Sequence, residues 1–195
     1  MMMVKRLAGV ALGALLAVNA FAFFGETEPN DTRANPDILV FEPPAYTAPW
    51  SDVGVLSLTA NDSDFFKIWL NELDWLTAIT FPIETNYYQP DTVMALFDET
   101  GTTAIVWNDD ASGGGNPGYG SAIRWQATAS GYYYLAITGY HGGDRSLLSY
   151  YEGATHSETG SYILTLSVVP VPEPASMMAL GTGLVGLMAL RRRRR

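Results

Sequence analysis

Sixteen consecutive uncharged residues, 175–190, run into five arginines, Arg191, Arg192, Arg193, Arg194 and Arg195. As a helix they span about 24 Å at ~1.5 Å per residue. That falls just short of a hydrocarbon core of about 30 Å, a gap that local thinning or snorkelling closes. Arginines are costly to move through lipid, so the cluster stays cytoplasmic under the positive-inside bias. The preceding Val171-Pro172-Glu173-Pro174 cannot enter a helix interior and lies extended beside the membrane, within reach of a protease. These residues belong to no soluble core, and they confine the folded body to what precedes them.

The other end has a matching logic. Lys5 and Arg6 precede an apolar stretch over 7–18, and Ala20-Phe21-Ala22 offers the small-x-small site of a signal peptidase. Residues 1–22 are therefore read as a signal peptide cleaved after Ala22, the alternative being a retained N-terminal anchor. The C-terminal series of tetrapeptide, apolar run and arginines resembles the PEP-CTERM sorting signal, within a segment 169–195. The resemblance implies export across the inner membrane of a Gram-negative envelope and an anchored intermediate. It further implies removal of the tail by an exosortase, a membrane cysteine transpeptidase, and delivery to the cell surface or to an extracellular matrix linked with exopolysaccharide. An ordinary anchor that contains prolines shares the tripeptide, but not the three parts in order.

The body, 23–168, is long enough for one domain with its own core. It has no cysteine, so an exported protein of this kind is held by its core, with a bound metal as the other recourse. Seven of the 11 basic residues lie in the end segments. Between Leu7 and Leu190 four basic residues stand against 20 acidic ones, a net charge near −16. Such a surface repels phosphate backbones and excludes nucleic acid as a partner, while favouring divalent cations.

Runs rich in Val, Ile, Thr and aromatics, separated by Gly, Asn, Asp and Pro, predict strands over 53–58, 64–71, 75–81, 92–98, 104–108, 121–127, 131–138 and 160–168. Phe66, Ile68 and Leu70 fall on one face, with Phe65, Lys67 and Trp69 on the other. Tyr162, Leu164 and Leu166 likewise oppose Ile163, Thr165 and Ser167. No long 3.6-residue period occurs in the body. The expected fold is all-β, an antiparallel sandwich of the jelly-roll type with about eight strands. Two long connections stand out: the glycine-rich 111–120, and 140–159, whose length marks it as functional or as a hairpin excursion.

Glu26-Thr27-Glu28-Pro29-Asn30-Asp31-Thr32 opens the body, followed by Asn61-Asp62-Ser63-Asp64-Phe65-Phe66 and by Asp91-Thr92-Val93-Met94-Ala95-Leu96-Phe97-Asp98 with Gly101 in the next turn. Asn108-Asp109-Asp110, Ser121-Ala122-Ile123, Gly131-Tyr132-Tyr133-Tyr134-Leu135-Ala136-Ile137 and Gly160-Ser161-Tyr162-Ile163-Leu164-Thr165-Leu166 complete the order. The series resembles the bacterial pre-peptidase C-terminal domain over about 26–168. The resemblance implies a β-sandwich that serves secreted proteins as an accessory or binding module and not as the catalyst. Here no protease domain accompanies it, so its role is expected to be its own or a partner's.

Glu26, Glu28, Asn30 and Asp31 supply oxygens within six residues, and alternation along an extended segment points Glu26, Glu28 and Asn30 the same way. Calcium takes six to eight such oxygens. Asn61, Asp62 and Asp64 complete a shell if this segment runs along the start of the second strand. The spacing is similar to the calcium-binding linker of collagenase members of that family, and the resemblance carries over Glu26, Glu28, Asn30, Asp31 and Asp64, with Asn61 a weaker match and Asp62 a neighbour. The alternative is a set of solvated acids and turn formers. Asp109-Asp110 forms a second acidic pair, read first as a turn and second as a cation site.

No G-x-S-x-G elbow, H-E-x-x-H pair or cysteine nucleophile occurs. His141 and His156 lie in one polar connection and read as exposed loop histidines. The expected protein is non-catalytic. One alternative is a carbohydrate- or protein-binding module using the loop tyrosines Tyr119, Tyr140, Tyr150 and Tyr151. A small hydrolase acting through loop acids or His141 is the other.

Overall fold

The computed structural model describes residues 21–39, 49–83, 90–111 and 119–171, with the single positions 182 and 191 beyond them. Period-two alternation in the body becomes strands wherever one face finds a core. In chain order these are β1 Phe21–Phe24, β2 Asp37–Ile38, β3 Trp50–Leu58, β4 Ser63–Leu70, β5 Trp75–Pro82, β6 Thr92–Asp98, β7 Val106–Asn108, β8 Ala122–Gln126, β9 Gly131–Gly139 and β10 Gly160–Val169. A short helix, α1 Leu148–Glu152, interrupts the long connection before β10.

All eight expected strands are present, as β3 to β10. They form two sheets, ordered β1-β3-β10-β5-β8 and β2-β4-β9-β6-β7. With the two outer strands set aside, the remaining eight taken in chain order read 1-8-3-6 over 2-7-4-5. This is the wound order of a jelly roll, with every neighbour antiparallel. Two strands were not expected. The edge strand β1 runs parallel to β3, Phe21 opposite Ser51, and β2 runs parallel to β4.

The inter-sheet core follows the alternation. Phe66, Ile68 and Leu70 from β4 meet Tyr162, Leu164 and Leu166 from β10, all fully buried. Leu56, Leu76, Met94, Leu96, Leu135 and Ile137 fill the space between them. Thr80 on β5 and Thr92 on β6 stitch the sheets through hydroxyls 2.6 Å apart, and Ser121 N–H donates to Thr80 Oγ1 at 2.7 Å. A buried hydroxyl is tolerated only when bonded in this way.

The second sheet is covered on its outer face as well. Phe65, Val93, Ala95, Phe97, Tyr134 and Ala136 pack against Leu148, Tyr150 and Tyr151 of α1. This second core explains why β6 is buried at six of its seven positions instead of alternating. The long 140–159 connection is thus a cover for a sheet face.

Gly120 marks a close backbone approach. A Cβ there would collide with the carbonyl oxygen of Thr80. Gly120→Ala is therefore expected to lower stability by about 1–3 kcal/mol, the usual cost of overpacking, read as a fall in the urea midpoint. An unchanged midpoint would show that the strand end moves freely.

The apolar run 175–190 apart from Thr182, the tripeptide Pro172, Glu173 and Pro174, Arg192 to Arg195 and the first 20 residues lie outside the described residues, as does most of the glycine-rich 111–120. Among the described residues no helix is long and apolar enough to cross a membrane.

Candidate metal centre

The segment after β1 is held along the start of β4 by backbone and side-chain bonds. Phe65 N–H donates to the Asn30 carbonyl at 3.1 Å, and Thr27 N–H and Asn30 Nδ2 both donate to Asp37 Oδ2, at 2.8 and 3.1 Å. This arrangement brings Glu26 and Glu28 over Asp64, the second residue of β4. Each of the three presents a carboxylate oxygen within 4.8 Å of the others. Glu28, Asp31 and Asp62 form a second such group, and Glu28 joins the two into one cluster of five acids. A cleft of about 370 Å³ opens beside it, lined by Glu28, Asp31, Ser57, Thr59, Ala60, Asn61 and Asp62.

One oxygen of each inner ligand is already engaged and the other is not. Glu26 Oε1 accepts from Ser57 N–H and Ser57 Oγ at 2.8 and 2.9 Å, while buried Oε2 has no partner. Asp64 is fully buried, its Oδ2 accepts from the Tyr162 hydroxyl, and its Oδ1 has no partner. Asn30 is 1% exposed, and its Oδ1 is left over after Nδ2 bonds Asp37. An unsatisfied buried oxygen costs about 1–3 kcal/mol, so three around one cluster are expensive unless a cation completes them.

Electrostatics point the same way. Burial pushes the Asp64 carboxyl well above the carboxylate range, and Glu26, Asp62 and Glu28 push it further, opposed only by the Tyr162 hydrogen bond. Glu26 and Glu28 are raised by burial and by neighbouring acids, and Asp31 by burial and by Asp62. Carboxylates raised by each other are what a divalent ion relieves.

The sequence reading placed Glu26, Glu28, Asn30, Asp31 and Asp64 together, and the structure gathers them. Asn61 lines the cleft from a left-handed turn (φ 65°), its N–H bonded to the His156 carbonyl. Asp62, expected to help complete the shell though only a neighbour in the resemblance, is a full member of the cluster. Its Oδ2 accepts from Thr59 N–H at 2.8 Å, which turns the carboxylate back toward Glu28 and Asp31.

A second acid group lies beside the first residues of β6. Asp91 joins Asp109 and Asp110, and burial together with these two neighbours raises Asp91 to about 7. Arg145 Nε sits 3.0 Å from Asp109 Oδ2, so this group is partly neutralised by the chain itself.

Two expectations need correction. His156 is not an exposed loop histidine: it is 5% exposed, with Nε2 2.7 Å from the Asp62 carbonyl. His141 stacks on Tyr150 at 3.8 Å and bonds the Gly139 carbonyl through Nδ1. Tyr150 and Tyr151 are not free loop tyrosines either. They are buried in the core under α1, because the short helix turns its apolar side onto Phe97 and its neighbours. Tyr140 is 44% exposed and flanks Arg145 with Trp107, while Tyr119 is half-buried and accepts from Thr92 N–H through its carbonyl.

Residues 170–194 match the PEP-CTERM protein-sorting motif. The match begins one residue after the last strand ends. The chain carries that signal, and with it the mark of an exported protein that is sorted by an exosortase through a membrane-anchored intermediate. No curated protein matches the chain. The periplasmic inhibitor of g-type lysozyme (PliG) of Aeromonas hydrophila is similar in structure at 14% identity, covering 76% of this chain and 99% of that one, TM-score 0.42. The pre-peptidase C-terminal domain of a Bacillus anthracis collagenase is similar at 13% identity, covering 76% and 96%, TM-score 0.39. The corresponding PliG of Salmonella Typhimurium follows at 15% identity, 67% and 95%, TM-score 0.36.

Proposed function

We propose that the body is a non-catalytic β-sandwich of the cell surface or extracellular matrix, cut from its membrane tail by an exosortase and stiffened by calcium at the five-acid cluster. The observation that carries this reading is the position of the sorting motif. It abuts β10 without a spacer, so cleavage within 171–174 would free an intact sandwich. Glu26, Glu28, Asn30, Asp31, Asp62 and Asp64 fit calcium in number and kind: carboxylates and one amide, all but Asp64 of β4 in loops that can adjust. A structural role, as opposed to hydrolysis, is supported by both histidines being tied to backbone carbonyls and aromatic packing.

Replacing Pro172, Glu173 and Pro174 together by alanine is the direct test in cells that contain exosortase. Wild type is expected outside the inner membrane in a form shortened at its C-terminus, and the variant at full length in the membrane fraction. Equal processing of both would remove the sorting reading.

A second reading has one observation in its favour. Trp107 and Tyr140, 42% and 44% exposed, flank the Arg145 guanidinium on the side of β7, each with that cation over one ring face. Such a platform suits a sugar ring of an exopolysaccharide. Loss of glycan retention in Trp107→Ala would support it.

A further inference from the structure

Strand register places both routes to the membrane at one end of the sandwich. Residues 1–20 enter through β1, whose first residue pairs with Ser51 near the start of β3, and the tail leaves from the end of β10, where Val168 pairs with Trp50 and Val169 with Trp75. Four Cα steps join Val171 to Ala175, at most about 14 Å of chain. The end of the first sheet therefore cannot stand far from the bilayer while the tail is inserted.

That end has the chemistry of a membrane interface. Four of the five tryptophans lie at this end, each half-buried: Trp50 opening β3 and Trp125 near the end of β8 pack on the rim of the core, Trp75 opening β5 lies under Arg124, and Trp69 near the end of β4 in the facing sheet packs on Tyr132. Tryptophan is the residue enriched at the headgroup level. Leu73, Val169 and Val171 add 48%, 43% and 41% exposed aliphatic side chains. The two loops at this end that join the sheets, 71–74 and 127–130, contain only Glu72 and Asp74 as charges, and Asp74 is buried, its Oδ2 accepting from Asn71 N–H. Asp98 and Glu99 lie behind, at the far side of the second sheet, where Asp98 pairs with Tyr133 two residues in from the start of β9. The acids of the five-membered cluster and of the Asp91 group sit at the opposite end: Asp64 pairs with Ile137, and Thr92 with Gly139, both late in β9.

Leu73 supplies an independent sign. It occupies the tip of the β4–β5 turn at φ 72°, a left-handed conformation in which Gly or Asn is relaxed and a branched side chain is not. Its N–H is held by the Ala127 carbonyl at 2.7 Å. A strained backbone that presents an exposed leucine calls for a use of that leucine.

We infer that the tryptophan end of the first sheet is a lipid-interface seat, on which the body rests against the headgroups of the bilayer that holds its own tail. The acidic end then faces away from an anionic surface. This rests on the anchored-intermediate reading, and the test separates the two. The chain has no cysteine, so single cysteines carrying a polarity-sensitive fluorophore report cleanly. The full chain is reconstituted in phosphatidylethanolamine–phosphatidylglycerol vesicles with a probe at Leu73→Cys, at Gly142→Cys near the acidic end, where an added Cβ meets nothing, or at Leu187→Cys in the tail. Leu187 and Leu73 are expected to shift to the blue and to be quenched by brominated lipid, and Gly142 to do neither. Leu187 in lipid with Leu73 in water would overturn the seat while leaving the anchor. Leu187 in water would overturn both. As a second variant, Leu73→Asn is expected to melt no lower than wild type, because Asn suits the left-handed turn, yet to lose part of the tryptophan quenching by brominated lipid. Undiminished quenching would also overturn the seat.

Discussion

Excess calcium is expected to raise the melting temperature of this protein by about 5–10 °C, and Asp64→Asn is expected to remove that rise. An ion that binds only the native state stabilises by about 2.7 kcal/mol at a hundredfold excess over Kd, and each kcal/mol is worth about 2–4 °C in a body of this size. Asp64 is the informative position because it is fully buried with one oxygen bonded to Tyr162 and one unclaimed. Asparagine keeps the shape and an acceptor for Tyr162 but removes the charge. In chelator the variant should melt no lower than wild type, since the burial and neighbouring acids that raise Asp64 already disfavour its charge. Melting curves with calcium and with chelator decide the matter. Identical curves for wild type would eliminate the calcium proposal.

The same acids set a pH dependence for the metal-free protein. Asp64, Glu26, Glu28, Asp31 and Asp91 all have carboxyls raised above their ordinary values, chiefly by burial. A raised carboxyl binds its proton more tightly folded than unfolded, so its stabilising effect is complete at low pH and is lost as pH rises through the folded pKa. For Asp91 that window runs from 3.8 to about 7. In chelator the melting temperature should therefore fall between pH 4 and pH 7.5, and calcium should flatten the part that comes from the five-acid cluster. A rise with pH in chelator would show that these acids are solvated.

Leu164→Ala should be strongly damaging, at about 2–5 kcal/mol for a fully buried leucine. Leu164 has no exposed surface and sits on the strand between β3 and β5, opposite Gly54 on one side and Thr80 on the other. The next residue, Thr165, points outward. Thr165→Ala is expected to stay within about 0.5 kcal/mol of wild type. Urea midpoints of the pair measure the two-sidedness of β10 directly, and equal losses would contradict the register.

The eight jelly-roll strands were legible because each alternates over five or more residues or ends at a turn former. β6 is buried on both faces and was found through its β-branched and aromatic content and flanking turns instead. β1 and β2 were not legible: four and two residues are too few for a period, and both pair parallel with strands distant in sequence. α1 is too short for a 3.6-residue pattern, and its cover over the second sheet misled the reading of Tyr150, Tyr151 and His156, since a polar sequence gives no sign that a loop folds back onto a sheet. At the acidic cluster, Glu26, Glu28 and Asn30 were readable from spacing alone. Asp62 was readable as an acid that could complete the shell, but its turn toward Glu28 and Asp31 was not, because it depends on the left-handed turn at Asn61 and on Thr59. Asp91 likewise reaches Asp109 and Asp110 only through the β6–β7 pairing.

The strand made last in the body lies near the middle of its sheet, with β3 on one flank and β5 on the other. A chain that emerges from a translocation channel N-terminus first thus carries two unmatched edges until Val169 has crossed, and closes its barrel-like wrap only then. On the proposed function, the apolar tail enters the bilayer at that moment, so that the fold is completed while the chain is still tethered and the severing enzyme meets a finished domain.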